Sequence, residues 1–252
     1  MALPRFHCQL PLTKGQSLAL PPDAARHVQV LRLQPGDAIT LFGAPDVPPE
    51  SEFEARIQSI SRSEVQVLVG AARRVSREAA LTVHLAVGVP AGDRMDWLVE
   101  KATELGAASV WPLITQRAVL RLHGERAIKK VRHWQAVAIA ACEQCGRNQV
   151  PVVHPIVDLA SWLVALAPPS PAALRCLLAP GASAQSLTQL QARLHEQAAP
   201  AVWALSGPEG GLTGQEEEVA RQKGFVAVNL GPRVLRAETA PLALLAHLTL
   251  TA

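Results

Sequence analysis

"AVWALSGPEGGLTGQEEEVA" (Ala201 to Ala220) decides the fold. An apolar run, Ala201 to Ser206, reads as a strand. Three glycines follow within five residues, Gly207, Gly210 and Gly211, with a fourth at Gly214. Thr213 and Glu216 then make the T-x-x-E pattern of a capping box, in which each side chain satisfies the other's backbone N–H. Glu216, Glu217 and Glu218 fall in the first turn, where the helix dipole favours anions. The stretch therefore predicts strand, glycine loop and helix, in that order.

The same order extends on both sides. From Leu81 onward, strand-like runs ("LTVHLAVGV", "SVWPLI", "LRCLLAP", "FVAVNL") alternate with helix-like ones. Asp93 is placed to cap a helix over 93–105, in which Met95, Leu98, Val99, Ala102 and Leu105 recur at helical spacing, and Gly106 suits its stop. A long helix is predicted from about Glu125 to Cys145, with Ile128, Val131, Ala138 and Cys142 along one side. Further helices are predicted over 185–196 and 214–223 and at the C-terminus. Strand alternating with helix means an α/β fold with a mainly parallel sheet, and ligands of such sheets sit at the carboxyl ends of strands.

Residues 1–72 read differently. Short, partly alternating runs ("FHCQL", "SLAL", "DAITLF", "EFEARIQSI", "EVQVLV") surround one helical piece, "PDAARHVQVL". "ISRSE" is a turn that makes 52–69 a hairpin. Several short strands with one helix predict a small β-barrel. Residues 73–80, charged and small, are read as the linker, and 81–252 as the second domain.

The glycine loop excludes familiar phosphate binders. Neither G-x-x-x-x-G-K-[ST] nor G-x-G-x-x-G fits it. Glu209 and the acidic first turn would oppose a polyphosphate, since two like charges at ~4 Å cost roughly 4 kcal/mol at an effective dielectric of about 20. The loop suits a cofactor without phosphate, and better one carrying positive charge, as S-adenosylmethionine does. A plain strand-to-helix turn is the alternative. A second loop shifts the balance. "NLGPRVLRAETAPLALLA" (Asn229 to Ala246) repeats the arrangement, with Pro241 in the first turn of an apolar helix and Arg233 and Arg236 at the rim.

Together these two loops resemble the cofactor-binding end of the SPOUT methyltransferases, and more narrowly the RsmE family, which methylates N3 of a uridine in 16S ribosomal RNA of the small subunit. "PRFHCQLPL", "HVQVLRLQPGD", "EKATELGAASVWPLITQRAV" and "ACEQCGR" resemble further segments of that family, in the same order along nearly the whole chain. His7-Cys8, Cys145 and Ala237 depart from its usual residues. The resemblance implies a PUA-like N-terminal β-barrel, a trefoil-knotted second domain and a cytoplasmic homodimer. It implies a cofactor site at Leu178 and Ala179, at Ser206, Gly207, Glu209, Gly210 and Gly211, and at Leu230, Gly231, Val234, Leu235 and Ala240. Arg236 is the candidate to stabilise the uridine anion, and Glu143 the candidate base or arginine partner. Arg5, Arg32, Arg117, Arg121, Arg147 and Arg233 are expected to contact RNA.

Composition is compatible with this. Arginines number 19 and lysines 5, and six cations against one anion lie between Arg117 and Arg132. Arginine is the better bidentate phosphate ligand. Tyrosine is absent, which disfavours a single-strand binder built on stacking rings. The apolar runs are shorter than the ~20 residues of a membrane span, and no signal peptide is read. Cys142 and Cys145 form a C-x-x-C without a second pair, so no metal is expected. Two other readings stay open: a non-catalytic RNA-binding protein of this fold, and a methyltransferase acting on another RNA.

Overall fold

Thr213 and Glu216 form the reciprocal pair their spacing predicts. The Glu216 amide donates to Thr213 Oγ1 at 3.2 Å, and the Thr213 amide donates to Glu216 Oε2 at 2.8 Å. The helix they cap, Gly214–Gln222, leaves the strand Ala201–Ser206 by the glycine loop. A computed structural model of the chain describes residues 3–120, 122–179, 184–197 and 200–250. The chain divides into two compact units, Met1–Glu78 with Ile139–Val150, and Ala79–Ala138 with Pro151–Ala252.

In the first unit, strands β1 (Arg5–His7), β2 (Ser17–Ala19), β3 (Ala38–Phe42), β4 (Ser51–Ile60) and β5 (Val65–Arg74) make a sheet of order β1-β3-β4-β5-β2. Only β1 and β3 pair in parallel; the other neighbours are antiparallel. The predicted turn joins β4 to β5, closed by the Ser61 amide on the Glu64 carbonyl at 2.8 Å. Helix α1 (Pro22–Val30) starts with proline at its first position, where no amide partner is lost. It buries Ala24, Ala25 and Val28 in one core with Phe6, Ile39, Leu41, Ile57 and Val67.

The boundaries of this unit differ from the sequence reading. Strand β5 runs two residues into the expected linker, to Arg74. Residues 139–150, expected with the second domain, count with the first. Polar partners explain why. Asn148 Nδ2 donates to the carbonyls of Glu50 and Val75, at 3.1 and 3.0 Å, and Arg147 pairs with Glu78 at 2.6 Å.

The second unit is built on strands β6 (Thr82–Gly88), β7 (Ser109–Ile114), β8 (Val152–Val153), β9 (Val157–Asp158), β10 (Ala173–Leu178), β11 (Gln185–Ser186), β12 (Ala201–Ser206) and β13 (Val226–Asn229). Their order is β11-β13-β10-β12-β6-β7-β8, with β9 also on β7, and every pairing is parallel. Helices α2 (Arg94–Glu104), α3 (Gly124–Cys145), α4 (Leu159–Ala165), α5 (Leu187–Gln197), α6 (Gly214–Gln222) and α7 (Thr239–Leu250) complete the chain, the last turns of α3 counting with the first unit.

Helix α2 buries Met95, Leu98, Val99 and Ala102, as the periodicity predicts, although the Asp93 side chain makes no cap bond. On helix α3 the expected stripe holds at Ala138 and Cys142, both buried, and fails at Ile128, which is half exposed; Trp134 is a further buried anchor, and its Nε1 donates to Asp96 Oδ1 at 2.8 Å. Trp162, Leu163, Leu177, Leu205 and Phe225 form a core of this unit. Among the described residues, no helix is long and apolar enough to cross a membrane.

Candidate cofactor pocket

Parallel register brings four strand ends abreast. Leu178 at the end of β10 lies opposite Val228 of β13 on one side and Ser206 of β12 on the other, and Ser206 lies opposite Val87 of β6. The two glycine loops therefore leave the sheet side by side. A cavity of about 710 Å³ opens there, within the range of small-molecule sites. Both loops line it. Leu178, Ala179, Ser206, Gly207, Glu209, Gly210 and Gly211 come from the β10 end and the first loop, and Leu230, Gly231, Val234, Leu235 and Ala240 from the second. All twelve residues expected at a cofactor site thus share one cavity, together with Arg117, Arg233 and Arg236.

Close backbone packing explains the glycines. A Cβ on Gly207 would stand 2.7 Å from Gly211 C and Leu212 N, so the loop folds back on itself only without a side chain there. A Cβ on Gly88, at the end of β6, would stand 2.5 Å from Pro208 Cδ. Arg117 fastens the loop: its Nη1 donates to the carbonyls of Gly210 at 3.0 Å and Leu212 at 3.2 Å. The Gln116 amide donates to Glu216 Oε1 at 2.8 Å. Two consecutive residues after β7 thus hold both ends of the Gly210–Glu216 turn.

The charge of the cavity is not what the sequence suggested. Glu209 Oε1 accepts from Arg94 Nη1 at 2.5 Å and from the Ala91 amide at 2.9 Å. Burial by itself would push the Glu209 carboxyl up, but its own amide, the Ala91 amide and the Arg94 guanidinium hold it below the ordinary value. Its negative charge is therefore matched. Four arginines, Arg94, Arg117, Arg233 and Arg236, line the cavity against two carboxylates, Glu209 and Glu217. The paired Glu209 therefore does not repel a phosphate, and the charge of the cavity by itself selects no cationic cofactor.

The donor set still fits S-adenosylmethionine. Leu178, Leu230, Leu235 and Ala240 offer apolar surface for a nucleoside. Ser206 is 3% exposed and its Oγ has no hydrogen-bond partner, a buried polar atom that a ligand would satisfy. The side chains of the exposed Arg233 and Arg236 have no ion-pair or hydrogen-bond partner among the described residues, which leaves their guanidinium groups available at the rim.

The remaining candidates lie elsewhere. Glu143 is not in the cavity wall. Its Oε1 accepts from the His7 amide at 3.0 Å and its Oε2 lies 2.9 Å from His27 Nδ1, so both oxygens are spent inside the first unit. Arg5 is nearly buried on Glu52 (2.6 Å) and Asn148 Oδ1 (2.6 Å), and Arg147 is nearly buried on Glu78. These two guanidiniums face protein carboxylates rather than solvent. Arg32 is exposed, at φ 57° just after α1. Arg121 lies outside the described residues. Sequence reading missed Arg94, Asn229 and Leu177 in the wall. Arg94 carries no local signal beyond its place at the start of α2. Asn229 had one, two residues before a glycine: its Oδ1 accepts from the Gly231 amide at 2.8 Å.

Residues 77–249, which hold this parallel sheet and both glycine loops, match the RNA methyltransferase domain family, and that match gives the class of the protein. A protein of Bacillus subtilis, ribosomal RNA small subunit methyltransferase E, is 33% identical over 85% of this chain and 82% of its own length. The ribosomal RNA small subunit methyltransferase E of Neisseria gonorrhoeae, solved bound to S-adenosylmethionine, is 36% identical with a TM-score of 0.87, covering 97% of this chain and 96% of that one. A methyltransferase of Legionella pneumophila, solved with the same cofactor, is 35% identical with a TM-score of 0.88, covering 98% and 97%. The chain belongs to the ribosomal RNA small subunit methyltransferase E family.

Proposed function

We propose that this protein transfers the methyl group of S-adenosylmethionine to N3 of a uridine in 16S ribosomal RNA of the small subunit. The observation that carries the reading is the single cavity formed by both glycine loops, seen beside relatives of more than 30% identity solved with that cofactor. The first unit is read as a PUA-like barrel that docks RNA, and the second as a trefoil-knotted catalytic domain. The protein acts in the cytoplasm as a homodimer. Val234, Trp97 and Leu250, 87%, 46% and 70% exposed, leave apolar surface on the second unit that a second copy would cover.

The bound cofactor supplies an electrophilic methyl group on a sulfonium. The protein's task is the nucleophile. Uridine N3 carries a proton, and its lone pair is delocalised into two carbonyls. Arg236, exposed in the cavity wall, stabilises the negative charge that spreads over O2 and O4 as the N3 proton passes to solvent water. Arg117 and the Arg94–Glu209 pair hold the first loop in place, so that cofactor and base meet in a reactive geometry. Arg233 and Arg32 contact phosphates. Glu143 positions β1 in the first unit through the His7 amide rather than taking a proton.

Nucleoside mass spectrometry of 16S rRNA from cells with and without the gene tests this. The reading expects 3-methyluridine to disappear on deletion. An unchanged 16S profile with a loss in another RNA would move the substrate, and no loss anywhere would favour a non-catalytic RNA-binding protein.

A further inference from the structure

We propose that a second, smaller cavity in the methyltransferase unit receives one unpaired nucleobase of the RNA substrate, outside the cofactor pocket. The inference rests on the RNA reading above. This cavity, about 330 Å³, lies at the ends of β7 and β9 and at the start of α6. It shares no lining residue with the larger one, although Gln116 and Glu216 of this cavity are chain neighbours of Arg117 and Glu217 of the other.

Its chemistry suits a flat, uncharged ring with polar edges. Leu159, Leu163 and Val219 supply apolar wall. Thr115 also lines it, is 4% exposed, and has an Oγ1 with no hydrogen-bond partner. A hydroxyl in that position is either a standing cost or a ligand contact. Asp158 lines the cavity, and its carboxylate makes no hydrogen bond or ion pair among the described residues, so it is open to the N–H edge of a base. The Glu216 carboxylate already accepts three hydrogen bonds, from the Gln116 amide, the Thr213 amide and Thr213 Oγ1. With Asp158, its charge disfavours a phosphate inside.

Phosphates have their own place next to it. His123 lines the cavity, and α3 begins at the next residue, with Arg126, Lys129 and Arg132 exposed at three-residue spacing. A base held in a pocket whose edge runs into exposed cations is how an extrahelical nucleotide is bound, since single-stranded RNA is recognised through splayed bases and backbone contacts.

Two variants test it. Thr115→Val removes the orphan hydroxyl at constant shape, and Ala160→Phe places a ring at the exposed edge of the cavity, where Ala160 is a lining residue on α4. Affinity for S-adenosylmethionine is measured by calorimetry, affinity for 16S rRNA by filter binding, and KM with unmodified small subunits. Both variants are expected to bind cofactor within twofold of wild type and to weaken RNA binding and raise its KM by roughly tenfold. Thr115→Val should also melt no lower than wild type. Unchanged RNA affinity and KM in both variants, with cofactor bound normally, would overturn the proposal. Filter binding reads the site even where no methyl group is transferred, and a wild type that transfers none contradicts the activity rather than the docking site.

Discussion

Arg117 Nη1 donates to the carbonyl oxygen of Gly210 at 3.0 Å, and the same atom reaches Leu212 O at 3.2 Å. Arg117, expected from sequence to meet RNA, thus clamps the first glycine loop. Arg117→Ala should raise the Kd for S-adenosylmethionine about fivefold in the absence of RNA, the worth of ~1 kcal/mol of partly exposed hydrogen bonding. Calorimetry on the free protein checks this. An Arg117 that served RNA alone would leave cofactor affinity unchanged.

Gly207→Ala should be worse than its size suggests. The added methyl would meet Gly211 C and Leu212 N at 2.7 Å, and both are backbone atoms that move only with the loop. Overpacking of this kind costs about 1–3 kcal/mol. The expected outcome is a lower melting temperature together with at least tenfold weaker cofactor binding. Gly214→Ala, which meets nothing within 4 Å, should show neither effect.

Arg236→Ala separates binding from chemistry. Its side chain has no protein partner among the described residues, and the bonds of its carbonyl to the Thr239 and Ala240 amides survive the change, so the substitution costs the fold little. Its loss should lower the single-turnover rate by about 100-fold, the scale of one missing oxyanion donor, with cofactor Kd within twofold. Weakened cofactor binding at an unchanged rate would make it a cofactor contact instead.

Acid should loosen the first unit through Glu52. Its side chain is 2% exposed and meets Arg5, Arg73 and Arg77 at 2.6, 3.1 and 3.2 Å. Burial alone would raise the Glu52 carboxyl, but Arg5 and Arg77 bring it below its ordinary value. A depressed carboxylate stabilises the fold above the unfolded pKa of about 4.3. That stability is lost as pH falls through the folded value. Melting temperature should therefore drop steeply below about pH 4. Glu52→Gln should cost about 3 kcal/mol at neutral pH, because it leaves Arg5 buried without its counter-charge, and should flatten that slope.

The two loops at the strand ends were legible because their signals are local. The T-x-x-E spacing fixed the start of α6, and glycines and prolines marked both loops, so the chain itself announced which residues leave the strand ends. The ion pairs were not legible. Glu209 reads as a bare carboxylate beside glycines, and nothing in the sequence says that Arg94, 115 residues away, neutralises it. Arg5 and Arg147 read as surface cations for the same reason: their partners Glu52 and Glu78 are remote in sequence. Residues 139–150 count with the first unit because Asn148 and Arg147 satisfy long-range polar groups there, and helical periodicity carries no trace of that.

Purified protein, S-adenosylmethionine carrying a labelled methyl group, and small ribosomal subunits from cells lacking the gene provide the most direct measurement. The account predicts one labelled methyl per subunit, recovered as 3-methyluridine after digestion of the 16S rRNA. Label recovered on another nucleoside, or no label on RNA from protein that binds the cofactor, would contradict it.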